Sequence, residues 1–308
     1  MNANSLLFFR ILFLLLLTRV LDILVSKISD SLKLVIPSYW IWIACFSIVV
    51  LLACFAYIDS QKELKENFTK TKQDRYRITL LNNVKNIWID NILKSALSNV
   101  PLIELGLEEK DYAVQHPFNQ VEEFLSKSGQ KLAQDRSVTT IFNEMGAGRK
   151  LLILGEPGSG KTITLLRLAQ YFIDHAEQDL SQPIPVVFNL SSWASKRQSI
   201  AQWLVQELYG KYYVSKDIGK AWVQEEQLLL LLDGFDEVKA EVRNDCIQEL
   251  NKFIKEHGLT EIAVCSRIRD YEVLSNRLTL QSAICIQPLT QSQIDKYLDQ
   301  AQETNLLP

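Results

Sequence analysis

The apolar residues of this chain are arranged differently before and after residue 58. Before it they form two long runs, at residues 6–25 and 39–57. After it they form short runs, separated by amphipathic segments in which apolar positions recur three or four residues apart. The short runs predict strands, and the amphipathic segments predict helices.

The second half of the chain alternates these two kinds of element. We predict strands at residues 151–154, 185–189, 228–232, 262–265 and 283–286, and helices at residues 163–172, 200–213, 242–256 and 292–301. Such alternation predicts a three-layer α/β sandwich around a parallel sheet. Upstream, an apolar stripe predicts a helix at residues 78–100 that packs on its own domain, followed by a short strand within residues 102–114.

The two long apolar runs predict membrane segments, because about 20 apolar residues cross a bilayer core. The run at 39–57 carries no charge, and aromatic residues lie near both of its ends: Tyr39, Trp40, Trp42 and Tyr57. Its alternative is a buried core helix. The run at 6–25 carries Arg10, Arg19 and Asp22, of which Arg19 and Asp22 are spaced to pair on one helix face. We predict two transmembrane helices that form a hairpin anchor within residues 1–60.

The basic residues that flank the second run predict its orientation. Six follow it: Lys62, Lys65, Lys70, Lys72, Arg75 and Arg77. Only Lys27 and Lys33 lie in the loop between the runs. The positive-inside rule then places the larger part of the chain in the cytoplasm. We therefore expect a multi-pass membrane protein with the lipid bilayer as a partner, and a juxtamembrane helical linker at residues 61–138.

A glycine-rich motif joins the predicted strand at 151–154 to the predicted helix at 163–172. It reads Gly155, Glu156, Pro157, Gly158, Ser159, Gly160, Lys161 and Thr162, the pattern G-x-x-x-x-G-K-[ST] of a phosphate-binding loop. Its glycines let backbone N–H groups point at phosphate oxygens, and the helix start adds a positive dipole end. Lys161 supplies a charge for the β- and γ-phosphates, and the Thr162 hydroxyl is a Mg²⁺ ligand. The alternative, a glycine-rich turn with a solvated lysine, does not explain the flanking strand and helix.

Three acids follow the leucine-rich strand, at the sheet edge where open α/β folds bind ligands. Asp233 is the first, in position to hold Mg²⁺ through water, while Asp236 or Glu237 is placed to orient or deprotonate an attacking water. Gly234 keeps a bulky side chain away from the metal. The alternative for Asp236 and Glu237 is a solvated acidic turn that caps the next helix.

An arginine ends the predicted strand at 262–265. Arg267 at the tip of this strand is expected to reach a γ-phosphate, with Arg269 close behind it. A surface salt bridge is the alternative.

Composition restricts the function classes further. The 308 residues carry a net charge of −3, so no basic excess indicates a nucleic-acid partner. The five cysteines lack C-x-x-C spacing, and each of the three histidines stands alone, so we expect reduced thiols and no zinc site.

Together these motifs resemble the NACHT domain, a family of signal-transduction P-loop ATPases of the STAND class, related to AAA+ proteins. The resemblance rests on GEPGSGKT, on LLLLLDGFDEV and on a strand that ends CSR, and it covers residues 139–302. It implies that Gly155 to Thr162 form the Walker A element, Asp233 is the Walker B metal acid, Asp236 and Glu237 are the acids linked to hydrolysis, and Arg267 is the sensor 1 arginine.

The resemblance also implies a function. We expect residues 139–308 to form a NACHT P-loop NTPase domain that lacks the family's C-terminal lid and sensor regions. ATP and Mg²⁺ are the implied ligands, with GTP open, and hydrolysis would drive a signalling switch that forms a homo-oligomer with ATP and acts on an unknown protein effector. The alternative is a nucleotide-stabilised membrane scaffold without hydrolysis.

Overall fold

The computed structural model describes residues 38–97, 105–115, 136–195 and 197–303, together with Arg19, Ile23 and Lys27. The chain divides into two compact units, Met1–Thr71 and Lys72–Pro308. Part of the predicted linker at residues 61–138, namely residues 98–104 and 116–135, lies outside the described residues. The predicted domain boundaries at residues 60 and 138 stay predictions.

The described helices and strands follow the predicted alternation. The helices are α1 Ser38–Val84, α2 Lys94–Leu97, α3 Val138–Glu144, α4 Lys161–Gln178, α5 Ile200–Tyr212, α6 Lys216–Gln224, α7 Arg243–Glu256, α8 Ile268–Glu272 and α9 Gln291–Glu303, with a π-helical stretch at Lys85–Leu93. The strands are β1 Leu107–Glu109, β2 Lys150–Gly155, β3 Ile184–Asn189, β4 Leu228–Asp233, β5 Glu261–Arg267 and β6 Ser282–Ile286.

The six strands form one sheet in the order β1-β6-β2-β5-β4-β3. Strand β1 is antiparallel to β6, and the other neighbours are parallel. All of β2 is buried, as are the first five residues of β4. Burial on both faces of the sheet explains why these strands are continuous apolar runs instead of alternating patterns. The predicted α/β fold around a parallel sheet is confirmed.

The strand order brings four carboxyl ends to one edge of the sheet. Gly155 at the end of β2 is in register with Arg267 at the end of β5, and Asn189 at the end of β3 is in register with Asp233 at the end of β4. Strand β5 lies between β2 and β4, so the glycine-rich loop and the acids face each other across one strand.

The helical stripe predicted at residues 78–100 is present, and it buries its apolar residues within the second unit. We call Lys72–Leu97 the N-terminal arm. Leu80, Val84 and Ile89 of the arm are at most 1% exposed. The arm contacts α4, the helix that follows the glycine-rich loop. It therefore belongs to the same core as the sheet.

The prediction of two transmembrane helices is wrong, and with it the prediction of a multi-pass membrane localisation. Among the described residues, no helix is both long enough and apolar enough to cross a membrane. The run at 39–57 is not a separate segment, because it is the first part of α1, a single helix of 47 residues that continues through many charged positions. The run at 6–25 lies outside the described residues, apart from two isolated positions.

Candidate functional site

The glycine-rich loop leaves the end of β2 and enters α4 at Lys161. Gly158 and Gly160 have φ of 75° and 92°, values that favour glycine, and Gly160 is the N-cap of α4. A side chain on Gly155 would overlap the Ser159 hydroxyl, because the loop curls back over its own first residue. The loop therefore presents the helix start and its backbone N–H groups toward the sheet edge.

Two side chains of the loop have polar groups suited to phosphate. The Lys161 ammonium donates hydrogen bonds to the backbone oxygens of Gly155 and Glu156, at 3.1 and 2.9 Å, so it lies across the loop. The Ser159 hydroxyl is buried and has no hydrogen-bond partner among the described residues. Buried polar atoms of this kind are satisfied when an acceptor such as a phosphate oxygen binds.

The two predicted metal ligands meet directly. The Thr162 hydroxyl donates to Asp233 Oδ2 at 2.9 Å, across 71 positions of sequence. Helix α4 supplies the hydroxyl, and the end of β4 supplies the carboxylate.

Burial dominates the electrostatics of Asp233. It raises the pKa of this carboxyl above its ordinary value, against the lowering effect of the hydrogen bond from Thr162. Glu237 and Asp236 raise the pKa further, because like charges disfavour ionisation. Three acids therefore lie close together at this edge of the sheet, and a bound cation would lower their mutual repulsion.

We expect Asp233→Asn to stabilise the nucleotide-free protein at neutral pH. The folded state holds the Asp233 proton to a higher pH than the unfolded state, so the ionised carboxylate lowers stability as pH rises through that window. Asparagine keeps an acceptor for Thr162 and removes the charge. Urea unfolding at a series of pH values should show a stability gain at pH 7 that disappears below the ordinary pKa of aspartate.

The exposed Asp299 provides the control for this comparison. The Asp299→Asn variant should follow the wild-type pH profile. A wild-type protein that is more stable than Asp233→Asn at pH 7 would contradict this account of the buried charge.

A tight turn brings Glu237 back toward the ends of β3 and β4. Gly234 has φ of 70° and begins the 3₁₀ turn Phe235–Glu237. Asn189 Nδ2 donates to Glu237 Oε2 at 2.9 Å. Asn189 Oδ1 accepts from the N–H and the hydroxyl of Ser191, at 2.8 and 2.6 Å, which orients the amide. Asn189 is a site residue that the sequence analysis missed, although its place at the end of a buried strand was a usable signal.

We expect Gly234→Ala to cost roughly 1–2 kcal/mol of stability, the usual penalty for an L-residue in the left-handed region. The new Cβ would also lie 2.8 Å from Glu237 Oε2 and 3.0 Å from Asn189 Oδ1, so Glu237 must move. Chemical denaturation measures the cost. Gly210→Ala is the matched control: it lies in α5 with nothing within 4 Å of the added atom, and should gain roughly 0.5–1 kcal/mol. Equal stabilities for the two variants would contradict the strain at Gly234.

Asp236 and Arg267 form an ion pair. Arg267 Nε lies 2.7 Å from Asp236 Oδ2, and the Arg267 N–H donates to Asp236 Oδ1 at 3.2 Å. Arg243, which the sequence analysis missed, donates to the Asp236 backbone oxygen at 2.5 Å. Asp236 is 10% exposed and Arg267 is 50% exposed, so the arginine keeps one side open to solvent. Of the two acids linked to hydrolysis, Asp236 and Glu237, it is therefore Asp236 that positions an arginine.

Arg269 lies at the mouth of the glycine-rich loop. Its Nε is 3.3 Å from Glu156 Oε1, and 85% of its side chain is exposed. Exposed pairs of this kind contribute little to stability. Arg269 therefore remains available to a ligand.

A cavity of about 600 Å³ adjoins the loop on the side of the N-terminal segments. It is lined by Leu105, Leu107, Val138, Thr164, Arg167 and Tyr171, among others. Leu105 lies 3.4 Å from the point where a Cβ on Gly160 would be, so the cavity reaches the loop. Its volume lies within the range of roughly 300–1,000 Å³ for small-molecule sites. No sequence motif marks these residues, because they come from separate segments.

The donor set at this edge fits Mg²⁺ better than a transition metal. Among the residues that the structure describes, no group of three or more His, Cys, Asp or Glu is placed to hold a metal ion. Mg²⁺ needs only one or two protein oxygens when substrate phosphates and water complete its coordination. Thr162 and Asp233 supply such a pair.

A match to one protein family agrees with this architecture. The model of the NACHT domain matches residues 149–304, about half of the chain. Among solved structures, the chain is similar to AMPPCP-bound DnaA from Aquifex aeolicus, with TM-score 0.35 and 16% identity over 55% of this chain and 51% of that chain. It is also similar to C. elegans PCH-2, with TM-score 0.30 and 14% identity over 49% of this chain and 38% of that one. The chain thus spans about half the length of DnaA. A search of curated proteins gives no match.

Proposed function

This chain belongs to the NACHT domain family, and on that premise we propose that it is a P-loop NTPase that binds ATP with Mg²⁺ and hydrolyses it. The observation that carries the proposal is the 2.9 Å contact between Thr162 and Asp233. It joins the phosphate-loop hydroxyl to the strand-end acid, the pair that holds Mg²⁺ in P-loop enzymes. The family resemblance favours ATP, and GTP is the competing substrate.

The phosphate loop and the cavity bind different parts of the nucleotide. The helix start and Lys161 bind the β- and γ-phosphates, and the Ser159 hydroxyl adds a donor. The cavity beside Leu105 and Thr164 receives the nucleoside. The apolar residues of the cavity cover the base, and its polar residues are compatible with either adenine or guanine.

Thr162 and Asp233 are the residues that would hold Mg²⁺. When bound, Mg²⁺ neutralises charge on the transferring phosphoryl group. Asp233 then loses the destabilising effect of an isolated buried charge. Nucleotide and metal are therefore expected to bind together.

Glu237 is the residue that orients and deprotonates the attacking water. Glu237 ends the short turn that follows Asp233. Asn189 donates to one oxygen of its carboxylate, which leaves the other oxygen able to accept a proton. Asp236 holds Arg267, and Arg267 contacts the γ-phosphate from the end of β5. Loss of that phosphate on hydrolysis removes one of the two negative partners of Arg267 and one of the two of Lys161.

This loss of charge provides the switch. In the ATP form, Lys161 and Arg267 both bind the γ-phosphate, and this state favours a homo-oligomer that engages a protein effector. In the ADP form, Arg267 pairs only with Asp236, which favours the resting state. Residues 139–308 carry the phosphate loop, the three acids and Arg267 in this proposal, and Leu105, Leu107 and Val138 add to the cavity.

A scaffold that binds nucleotide without turnover is the second candidate. It is favoured by the hydrogen bond that occupies Glu237 Oε2 and by the ion pair that occupies Asp236. In this case nucleotide adds stability and no phosphate is released.

Turnover of ATP and GTP by the purified full chain with Mg²⁺ distinguishes the two candidates. Phosphate release above the level of a Glu237→Gln sample, with a preference for one base, supports the NTPase. Tight binding with no phosphate release above a protein-free blank identifies the scaffold. Absence of binding to either nucleotide overturns both.

A further inference from the structure

Strand β3 carries Asn189 and lies at the edge of the described sheet. Its only strand neighbour there is β4. The backbone groups on its outer side need partners from outside the sheet. The position of β3, and of Asn189 at its end, therefore depends on what contacts this outer edge.

Tyr212, the last residue of α5, contacts that edge. Its hydroxyl donates to the backbone oxygen of Val187, two residues before Asn189 in the same strand. The Trp88 ring N–H donates to the Tyr212 hydroxyl at 2.8 Å. Both hydroxyl contacts are buried, and burial raises the pKa of Tyr212, so the hydroxyl keeps its proton and remains a donor.

The N-terminal arm supplies Trp88 and is fixed to the domain at several points. Asn83 Nδ2 donates to the Tyr212 backbone oxygen at 3.1 Å, and Lys211 lies 4.0 Å over the Trp88 ring. Arg77 donates to the backbone oxygens of Ala176, Asp179 and Gln182, at 3.4, 3.4 and 2.7 Å. The first acceptor lies in the last turn of α4, the helix that begins at the phosphate loop, and the other two lie just after its end. The arm thus connects the far end of α4 to the outer edge of β3.

We propose that Tyr212 and Trp88 are positioning residues for Glu237. The N-terminal arm holds Tyr212, Tyr212 holds the free edge of β3, and β3 places Asn189 against the Glu237 carboxylate. Val187 and Asn189 are about 6.6 Å apart along the strand, at ~3.3 Å per residue. A shift of the edge at Val187 is therefore transmitted to Asn189 with little intervening chain to absorb it.

The inference rests on the proposed hydrolysis at Glu237, and it makes a specific kinetic claim. Misplacing a catalytic group slows the chemical step more than it weakens substrate binding, because the phosphate loop lies on other elements. We expect Tyr212→Phe to lower kcat for ATP roughly tenfold and to leave KM within about twofold. Trp88→Phe removes the hydrogen bond to the Tyr212 hydroxyl and part of the ring under Lys211, but it leaves the Tyr212–Val187 contact in place and should lower kcat less.

The matched control is Tyr271→Phe. Tyr271 is also fully buried, and its hydroxyl accepts a hydrogen bond from the Leu278 N–H at 2.8 Å, away from β3. This variant loses a buried hydroxyl and should lower the melting temperature as Tyr212→Phe does, with kcat unchanged. Equal loss of kcat in both variants would reduce the Tyr212 effect to general destabilisation and overturn the inference.

A double-mutant cycle tests the route through Asn189. If Tyr212 acts through Asn189, Tyr212→Phe in an Asn189→Ala background lowers kcat by less than about twofold, because the link is already broken. The same tenfold loss in that background would contradict the inference.

Hydrogen exchange gives a readout that does not need turnover. Faster amide exchange in residues 187–195 and 234–238 of Tyr212→Phe, and unchanged exchange there in Tyr271→Phe, supports the link. Unchanged exchange in Tyr212→Phe overturns it. A wild-type chain that binds ATP without hydrolysing it contradicts the proposed hydrolysis alone, since the exchange result still decides the inference.

Discussion

Replacing Lys161 with alanine is expected to weaken ATP binding by a factor on the order of 100 or more. In the proposed site the lysine would donate charge-assisted hydrogen bonds to two phosphate groups, each worth roughly 1.5–3 kcal/mol. Its ammonium now bonds two backbone oxygens of the loop, and no other lysine reaches that position among the described residues. Calorimetric titration of the full chain with ATP and Mg²⁺ measures the loss.

Lys85→Ala is the matched control for this prediction. Lys85 pairs with Glu177 on the outer surface of α4, at 2.9 Å, so its loss removes a lysine contact on the same helix. Its ATP affinity should equal that of the wild type. An unchanged affinity in Lys161→Ala would show that the phosphates bind elsewhere, and the assigned site would be wrong.

Glu237→Gln is expected to bind ATP as the wild type does and to lose its hydrolysis by roughly 100-fold or more, the scale of a general base. Glutamine still accepts the hydrogen bond from Asn189, so the turn should keep its shape. It cannot take the proton of the attacking water. Phosphate release measured alongside the binding affinity separates the two effects.

Asp236→Asn makes the comparison specific. Its carboxylate holds Arg267 through two contacts, so its loss should loosen the arginine and lower turnover through the γ-phosphate contact. Because Asp236 acts through this arginine, Asp236→Asn should slow turnover less than Glu237→Gln does. High salt should lower the turnover of Asp236→Asn only a little further, because its ion pair with Arg267 is already broken. Wild-type turnover in Glu237→Gln together with inactive Asp236→Asn would transfer the role of base to Asp236.

The domain fold was predictable because its strands are buried on both faces. A run such as Leu228–Asp233 can only be the centre of a covered sheet, and its predicted limits at 228–232 differ from the observed strand by one residue. Because these strands alternate with amphipathic helices along the chain, successive strands were expected to be parallel. Strand order could not be read, because pairing between β2 and β5 joins residues more than 100 positions apart.

The phosphate loop and the strand-end acids were also predictable, since their spacing is local. The contacts that distinguish the acids were not. Asn189 lies 48 positions before Glu237, at the end of β3, and Arg243 lies seven positions after Asp236, at the start of α7. Neither residue belongs to a motif. The cavity beside the phosphate loop could not be predicted for the same reason, because Leu105, Val138 and Thr164 meet only in the folded chain.

The transmembrane prediction failed because it judged residues 39–57 by their own composition. In the structure they continue without a break into the rest of α1, which ends at Val84 in the core of the second unit. A hydropathy window has no information about the length of the helix that contains it. The error leaves the phosphate loop and the strand-end acids unaffected, since these residues begin at Gly155.

The most direct test of the central claim is the Mg²⁺ dependence of ATP binding to the full chain. The account predicts that wild-type affinity falls at least about tenfold when Mg²⁺ is removed with EDTA, since each 1.4 kcal/mol of lost contact is a factor of ten. It also predicts that Thr162→Val and Asp233→Asn lose this dependence, because they remove the two ligands that meet at 2.9 Å. Equal affinity with and without Mg²⁺ in the wild type, or full Mg²⁺ dependence in both variants, would contradict a phosphate-loop metal site.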